Sequence, residues 1–354
     1  MIRRPTGRRP ALHALVLMLA ASLVLSACGQ PDAAFSTPES GPDLQAGADP
    51  TGRILFVADD EVRLWDGDVS QVTDVDDEME AMSPTWAPDG QRFAYVRADR
   101  NKGYSDLYIA NLDGETLKQV TFNAPDVTPF SQEFVCDAYW VADPVWDLAG
   151  ERLIWVSDRD GWSWDLCSDR LSDPMFLWYS ETWNAEPYIL SAAADIGLAQ
   201  EGPTLSQDGQ RAAFVVREEV TDSLRNPQIW TLDLNTAETT VLVNHPDGAY
   251  DPAWSPNDRN VAYIQRDGTR NDVWIAPVDA SAPYRLTDIG TCVSPVWSPD
   301  GRFVAFFRET DGNFEAWYVE VEDDGNNHLT ALEPKRLFTA DDINTISGMS
   351  WAND

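Results

Sequence analysis

Residues 295–301 read PVWSPDG, and this stretch decides the fold because versions of it recur along the chain. In the phrase, Pro presets φ, Asp tolerates the bridge region and Gly supplies a positive φ, which is the chemistry of a tight turn. The tryptophan position recurs every 43 to 60 residues, and Leu205 occupies it once. A phrase repeated at such a period predicts a propeller or another repeat architecture. Related phrases begin at Pro84, Pro144, Pro203 and Pro252.

Each turn phrase is followed by three short segments with strand character. After residues 295–301 come the apolar run at 303–307, a polar turn around Asp311, a third strand at 316–319 and a weaker fourth one at 335–338. Four short antiparallel strands in each repeating unit are typical of a propeller blade. The sequence therefore predicts an all-β fold.

The two ends of the repeat region complement each other. Residues 350–354 read SWAND, which matches the first part of the phrase, whereas residues 51–73 contain strands two to four of a blade without a first strand. We expect the last residues to supply that missing strand, which would close the ring and leave only short edges. The prediction is a six-bladed β-propeller over residues 51–354, with the N- and C-terminal strands sharing one blade. Its first strands are marked by Trp86, Trp146, Leu205, Trp254, Trp297 and Trp351.

The phrase Trp-Ser-Pro-Asp-Gly, followed by an aliphatic residue, Ala and an aromatic residue, resembles the repeat of the TolB-type β-propellers, a WD-like family. The resemblance covers roughly residues 50–354. It implies a propeller fold and is much less informative about function, because function depends on sites carried by the fold. We expect the repeated tryptophans to pack between blades.

The N-terminal residues have the pattern of a bacterial lipoprotein signal. Four arginines precede an apolar run at residues 11–27, and the run ends Leu-Ser-Ala before Cys28. A basic region followed by a short apolar region is typical of a secretory signal peptide. We predict a signal at residues 1–27, lipidation of Cys28, and a flexible tether rich in Pro, Gly, Ala and Ser at residues 28–50. The protein would be exported and lipid-anchored to the cell membrane or outer membrane, facing the periplasm or the exterior.

The net charge and the small number of potentially catalytic side chains limit the possible functions. The formal net charge is −34, which disfavours nucleic-acid partners. Beyond the signal the chain has two histidines, His245 and His328, and no Gly-x-Ser-x-Gly phrase. We therefore expect a binding protein with no cofactor, with a propeller glycosidase or lyase using carboxylates at the channel mouth as the enzymatic alternative.

Two acidic residues are candidates for a ligand site. Asp143 and Asp251 each precede the Pro of a turn phrase, so both should lie near the mouth of the central channel. A ring of acids there could hold Ca²⁺ through oxygen ligands. The alternative interpretation is that they are solvated loop acids.

An aromatic insertion in the third blade is the second candidate for a binding region. Trp162, Trp164, Trp178 and Trp183 lie in it, and exposed tryptophans are typical of protein-binding hot spots. A satellite core beneath a loop is an equally good interpretation of the same residues. Export permits disulfides, and Cys136 and Cys167 both flank this blade, which makes them our predicted pair; pairing of Cys136 with Cys292 stays open.

The combined prediction is a monomeric envelope lipoprotein that uses its propeller as a protein-binding platform, with protein partners in the cell envelope and the membrane contacted through the lipid anchor. The alternative is a receptor for a carbohydrate or a divalent cation at the channel mouth.

Overall fold

The computed structural model describes residues 49–124, 138–159, 176–180, 188–190, 199–217, 219–220, 223–224, 226–324 and 328–353. These residues fall within one compact unit, Gly47–Asp354. The described part of the chain is built from β-strands and short connections, with one 3-10 helix at Thr345–Ser347. No helix in these ranges has the length and apolar character needed to cross a bilayer.

The first three blades alternate short strands and tight turns. Blade I contributes β1 (Arg53–Ala58), β2 (Glu61–Trp65) and β3 (Val69–Gln71). Blade II consists of β4 (Glu80–Trp86), β5 (Arg92–Asp99), β6 (Tyr104–Asn111) and β7 (Thr116–Gln119). Blade III consists of β8 (Val141–Trp146), β9 (Leu153–Ser157), β10 (Phe176–Ser180) and β11 (Tyr188–Ile189).

The remaining blades follow the same plan with two additions. Blade IV consists of β12 (Ala199–Leu205), β13 (Arg211–Arg217), the separate short pair β14 (Glu219–Val220) and β15 (Ser223–Leu224), then β16 (Gln228–Asp233) and β17 (Thr239–Val243). Blade V consists of β18 (Ala249–Trp254), β19 (Asn260–Asp267), β20 (Arg270–Pro277) and β21 (Tyr284–Arg285). Blade VI consists of β22 (Cys292–Trp297), β23 (Phe303–Thr310), β24 (Asn313–Asp323), β25 (Leu329–Ala331) and β26 (Lys335–Thr339), where β25 and β26 both pair with β24.

The ring closes as the sequence predicts. The last strand, β27 (Met349–Ala352), pairs antiparallel with β1 and makes blade I the sheet β27-β1-β2-β3. Its register sets Trp351 opposite Ile54 and Ser350 opposite Leu55. The first strands of neighbouring blades contact each other all the way round, from β4 through β8, β12, β18 and β22 to β27 and back to β4. The described residues therefore confirm the six-bladed propeller with a shared blade.

The hydrophobic core lies between the blades. The second strands are buried nearly end to end, as in Val304, Ala305 and Phe306 of β23. The tryptophans of the first strands are 5–8% exposed and pack between neighbouring blades, which confirms their predicted structural role. Large rings fit this interface because they bury much apolar area against a pleated sheet.

The two faces of the ring differ in their connections. We call the loop face the side on which loops lead into the first strands, and the turn face the side on which each first strand turns into the second. The turn phrases, such as the one around Asp89, lie on the turn face. The 3-10 helix that leads into β27 lies on the loop face, and Asn344 caps it by accepting hydrogen bonds from the N–H groups of Ile346 and Ser347.

The structure changes two of the sequence-based predictions, the role of Trp178 and the possible disulfide partners of Cys136. Trp178 on β10 is 5% exposed and belongs to the core cluster shared by blades II and III, so its assignment to a partner-binding surface is wrong. It packs inward because its strand is the third of a four-stranded blade. Cys292 is a buried free thiol, so the structure does not contain the pairing of Cys136 with Cys292. Cys136 and Cys167 themselves lie outside the described residues.

Candidate functional site at the channel mouth

The first strands of blades II to VI carry one bulge each at the same position. The ladder with the second strand skips two residues in blades II to VI, and the first skipped residue has a left-handed φ. In these five blades the next residue is Pro, which cannot donate a ladder hydrogen bond and is tolerated at a bulge. In blade I the ladder skips no residue, and Gly348 precedes β27 with a φ of 65°. The five bulge residues are Ser83, Asp143, Gly202, Asp251 and Ser294, with φ from 44° to 54°.

The bulges lie near the middle of the first strands. Asp143, Asp251 and Ser294 are each the third residue of a six-residue first strand. A left-handed φ costs a residue other than Gly roughly 1–2 kcal/mol. Short polar side chains offset part of this cost when they hydrogen-bond nearby, and Asp and Ser fill these positions wherever Gly does not.

Asp143 links three blades. One carboxylate oxygen accepts a hydrogen bond from the Ser83 hydroxyl of blade II at 2.9 Å, and the other accepts from the backbone N–H of Gly202 in blade IV at 3.1 Å. Burial raises the pKa of Asp143, and the hydrogen bonds from Ser83 and Gly202 offset part of that rise. The side chain therefore serves primarily as a connection between first strands.

Asp251 makes a similar link on the other side of the ring and keeps one oxygen free. Its Oδ2 accepts from the backbone N–H of Ser294 at 3.0 Å, and the Ser294 hydroxyl donates to the carbonyl of Thr345 at 2.7 Å. Within the described residues no donor contacts Asp251 Oδ1. Asp251 is exposed, so this oxygen is accessible to a ligand.

The electrostatic environment of Asp251 favours the neutral form. Water reaches the side chain, yet the surrounding blades displace most of the bulk solvent, and this desolvation raises the pKa of Asp251. The N–H of Ser294 lowers the pKa, while the negative charges of Asp143 and Glu201 raise it further and Arg217 lowers it. A cation bound beside Asp251 would stabilise its carboxylate and would therefore lower the pKa of Asp251.

Two further residues define the surroundings of these carboxylates. Glu201, beside the bulge of blade IV, forms a salt bridge with Arg217 at 2.7 Å, and that guanidinium lies over the ring of Tyr250 at 5.7 Å. Ile346 on the 3-10 helix is 79% exposed, the largest exposed fraction among the described large hydrophobic residues. The helix contacts β1, β4 and β22, so Ile346 lies on the loop face close to the bulges.

Hydrogen bonds join the first strands at the junctions where the bulges do not. The Trp86 backbone N–H donates to the Ser350 hydroxyl between blades I and II, and the Trp254 N–H donates to the Thr204 hydroxyl between blades IV and V. Each of the six junctions therefore has at least one hydrogen bond between its first strands or their approaches. Hydrogen bonds therefore connect the first strands all the way round the channel.

The structure separates the predicted site residues into three groups. Asp143 and Asp251 lie at equivalent bulge positions with one blade between them. Trp178 is in the core. Trp162, Trp164, Trp183 and Cys28 lie outside the described residues. Among the residues that the structure describes, no group of three or more His, Cys, Asp or Glu side chains is arranged to hold a metal ion.

Sequence reasoning did not identify Ser83, Glu201, Ser294 and Ile346 as residues of the mouth. The signal for the two serines was present, because each stands immediately before the Pro of a turn phrase, as Asp143 and Asp251 do. The positions of Glu201 and Ile346 follow only from the closure of the ring.

The repeats match a known family. Residues 185–341 match the family described as TolB beta propeller domain. The matched part of the propeller, residues 185–341, is therefore similar to the TolB-type repeat. Among solved structures, the propeller is similar to TolB from Acinetobacter baumannii, with a TM-score of 0.60 and 15% identity over 86% of this chain and 67% of that chain.

Other similar structures show how widely the fold is used. The propeller resembles a chain of a nidogen/laminin complex, with a TM-score of 0.56 and 10% identity over 85% of this chain and 98% of that chain. It also resembles an oligogalacturonate lyase in complex with manganese, with a TM-score of 0.50 and 13% identity over 80% of this chain and 74% of that chain. At these identities the likeness establishes the fold alone. A comparison with curated proteins finds no match.

Proposed function

We propose that this protein is an exported, lipid-anchored binding protein whose propeller holds a basic segment of a protein partner at the loop face. The observation that carries the proposal is the free oxygen of Asp251, exposed at the mouth within a polar ring that is otherwise internally hydrogen-bonded. A lysine or arginine of the partner would donate to this oxygen. Such a charge-assisted hydrogen bond is stronger than a neutral one.

The charge of the whole chain supports a cationic partner. A net charge of −34 attracts basic surfaces over the range that salt screening allows and so accelerates their encounter. The raised pKa of Asp251 supports the same conclusion, because a bound cation stabilises the carboxylate that desolvation disfavours. Binding should therefore weaken as salt increases and as Asp251 becomes protonated.

Ile346 supplies the apolar part of the surface. Protein interfaces combine a desolvated apolar anchor with a polar surround. A side chain that is 79% exposed on a capped helix next to the mouth fits such a role. The propeller in the nidogen/laminin complex supports protein binding as a use of this fold. The small number of histidines in the sequence supports binding over catalysis.

The proposal can be tested with the full-length chain expressed in a bacterium with a cell envelope. Cys28→Ser should first release the protein from the membrane fraction, because the acyl chains are lost. A photo-crosslinking residue at position 346 should then give a specific adduct with one envelope protein, whereas the same residue at position 238 should not. Glu238 is exposed on a connection of the turn face, which makes it a matched control position.

Two variants test the proposed contact between Asp251 and a cationic side chain of the partner. Asp251→Asn should reduce the adduct from position 346 roughly tenfold, a loss of about 1.4 kcal/mol in affinity, whereas Glu238→Gln, with the same change in charge, should leave it intact. Equal adducts from positions 346 and 238, or equal effects of the two amide variants, would contradict the proposal.

A further inference from the structure

Arg308 on β23 is a half-buried arginine whose guanidinium hydrogen-bonds to no group in the described part of the chain. Its guanidinium carbon lies 4.8 Å from the centroid of the Trp317 ring on β24. The Nε atom is buried without an acceptor, whereas neither terminal nitrogen is among the buried atoms, so the end of the guanidinium reaches solvent. A partly desolvated cation without an acceptor is costly, and it is unexpected in a chain with 59 acidic residues.

Two other blades provide a hydrogen-bond partner at the equivalent place. Arg97 of β5 and Gln265 of β19 occupy the register position of Arg308, each opposite the residue that lies two positions before a bulge. In both blades the side chain two residues earlier is a tyrosine. Its hydroxyl accepts from Arg97 Nε at 2.6 Å in blade II and donates to Gln265 Oε1 at 3.0 Å in blade V. In blade VI that residue is Phe306, so Arg308 has no hydroxyl beside it where Arg97 has one.

The acid opposite Arg308 is already engaged. Glu315 faces Arg308 in the ladder between β23 and β24, so the two side chains lie on the same flank of blade VI. The Glu315 carboxylate forms a salt bridge with Arg336 at 3.2 Å and accepts from the Trp317 indole N–H at 3.1 Å. The two guanidinium groups and the one carboxylate together carry a single positive charge, which the protein leaves uncompensated at this place.

This flank of blade VI lies against blade V. Val304 and Phe306 point to the same side of β23 as Arg308, and both pack in one cluster with Val273 of blade V. Trp317 packs against the same cluster. Both strands that flank β23 lie within the described residues, and so do the members of this cluster.

We propose that Arg308, supported by Trp317, is a binding site for a carboxylate group, which we call the V–VI anion site. The two terminal nitrogens of a guanidinium are spaced to donate to both oxygens of one carboxylate. The Trp317 ring holds the guanidinium plane and excludes water from one of its faces, which strengthens hydrogen bonds at its edge. A carboxylate fits better than a phosphate dianion, because the net charge of −34 repels a dianion more strongly.

The V–VI anion site is independent of the binding proposed for Asp251, because it takes an anion and Asp251 takes a cation. Its test titrates the full-length chain with sodium acetate, and separately with a glutamate residue blocked at both ends, at an ionic strength held constant with sodium chloride. The Nε–H signal of Arg308 and the indole N–H signal of Trp317 are followed by NMR. We expect saturable shifts of both signals. Tighter binding of the blocked glutamate than of acetate assigns the carboxylate to a peptide side chain, and binding of acetate alone assigns it to a free small molecule.

Three variants separate geometry from charge, with the Trp317 indole signal as the readout. Arg308→Gln should weaken acetate binding at least roughly tenfold. Arg308→Lys should weaken it to a similar extent, because an ammonium group keeps the charge and lacks the planar pair of nitrogens. Arg259→Gln removes the same charge at an exposed position of blade V and should leave binding unchanged.

Several results would overturn the inference. Shifts that do not saturate, or that chloride alone reproduces, would mean that no carboxylate is bound specifically. Unchanged binding in folded Arg308→Gln protein would place the anion elsewhere, and an equal loss in Arg259→Gln would show that only the total charge matters. If Arg308→Gln does not fold, wild-type binding in Arg308→Lys protein would still contradict recognition through the guanidinium.

Discussion

Asp89 and Asp251 show how one residue type acquires opposite properties in the same repeat. Asp89 lies in a turn, where burial favours the neutral form but the backbone N–H groups of Gln91 and Arg92 and the Arg92 guanidinium hold its pKa below the ordinary value of 3.8. Asp251 lies at the mouth, where desolvation and neighbouring acids raise its pKa above that value. The balance between burial, hydrogen bonds and neighbouring charges decides the direction of each pKa shift.

These opposite shifts predict opposite pH profiles of stability. Ionised Asp89 stabilises the fold above pH 3.8, and this contribution is lost as pH falls through its lowered pKa. Asp89→Asn should therefore cost about 0.5–1 kcal/mol at pH 7 and little in strong acid. Asp251 behaves in the reverse sense: its neutral form is favoured in the fold, so Asp251→Asn should raise the thermal midpoint at pH 7, and the gain should vanish below pH 3.8.

The measurement is the thermal midpoint of the wild type and the two variants across the acid range. In the Asp251→Asn variant the amide oxygen can still accept from the Ser294 N–H, so the change removes charge and leaves the link between blades intact. Parallel midpoint curves for the two variants would contradict the assigned directions.

At the scale of single strands, an acid and a threonine join the third strand to the fourth in three blades. In blade V, Asp272 accepts from the Thr287 hydroxyl at 3.2 Å and from the N–H groups of Ile289 and Gly290 at 2.8 and 2.9 Å. The Thr287 hydroxyl in turn accepts from the Val273 N–H at 2.9 Å. Equivalent pairs are Asp106 with Thr121 and Glu61 with Thr73. Each pair fixes the beginning of the loop that leads into the next first strand.

Removing the hydroxyl of this pair should be costly even though the volume is retained. Thr287→Val leaves the Asp272 carboxylate and the Val273 N–H without one partner each, so we expect a loss of about 1–3 kcal/mol in the free energy of unfolding. Thr240→Val on β17 makes the same change at an exposed position and should stay within about 0.5 kcal/mol of the wild type. Urea unfolding measures both, and equal losses would show that the pair contributes no specific stabilisation.

At the scale of the whole molecule, stability depends on a strand that comes from the far end of the sequence. The ladder between β27 and β1 joins residues about 300 positions apart, and Trp351 packs in the cluster shared with blade VI. Without β27, blade I would lack its first strand, and both blade II and blade VI would lose an interface. The propeller has only short, protected edges while every blade is complete.

Deleting residues 347–354 should therefore destabilise the entire propeller. The loss of the Trp351 side chain alone is expected to cost about 3–5 kcal/mol, and the lost ladder adds to it. Thermal unfolding followed by circular dichroism and tryptophan fluorescence should show a much lower and broader transition. Deleting only residues 353–354 keeps all four pairs of the ladder and is the control. If the longer deletion melts like the wild type, ring closure through β27 does not hold the fold together.

The sequence predicted the features that depend on short-range chemistry. Pro, Asp and Gly at fixed offsets specify each tight turn through their own backbone preferences, and apolar runs of strand length between them define the blades. The same phrases placed Asp143 and Asp251 before a Pro at the first strands. The number of turn phrases predicted six blades. The complementary ends of the repeat region predicted the closing strand.

Tertiary structure alone decided which residues meet. Trp178 belongs to an aromatic-rich segment. Only its packing against the residues of blade II shows that its side chain is part of the core. Asp251 keeps a free oxygen because the neighbouring bulge offers one donor, and Leu205 borders a cavity of about 70 Å³ together with Ile154 of blade III. Such properties depend on residues that are distant in sequence and adjacent only across a blade junction, whereas turns and strands depend on neighbours a few positions away.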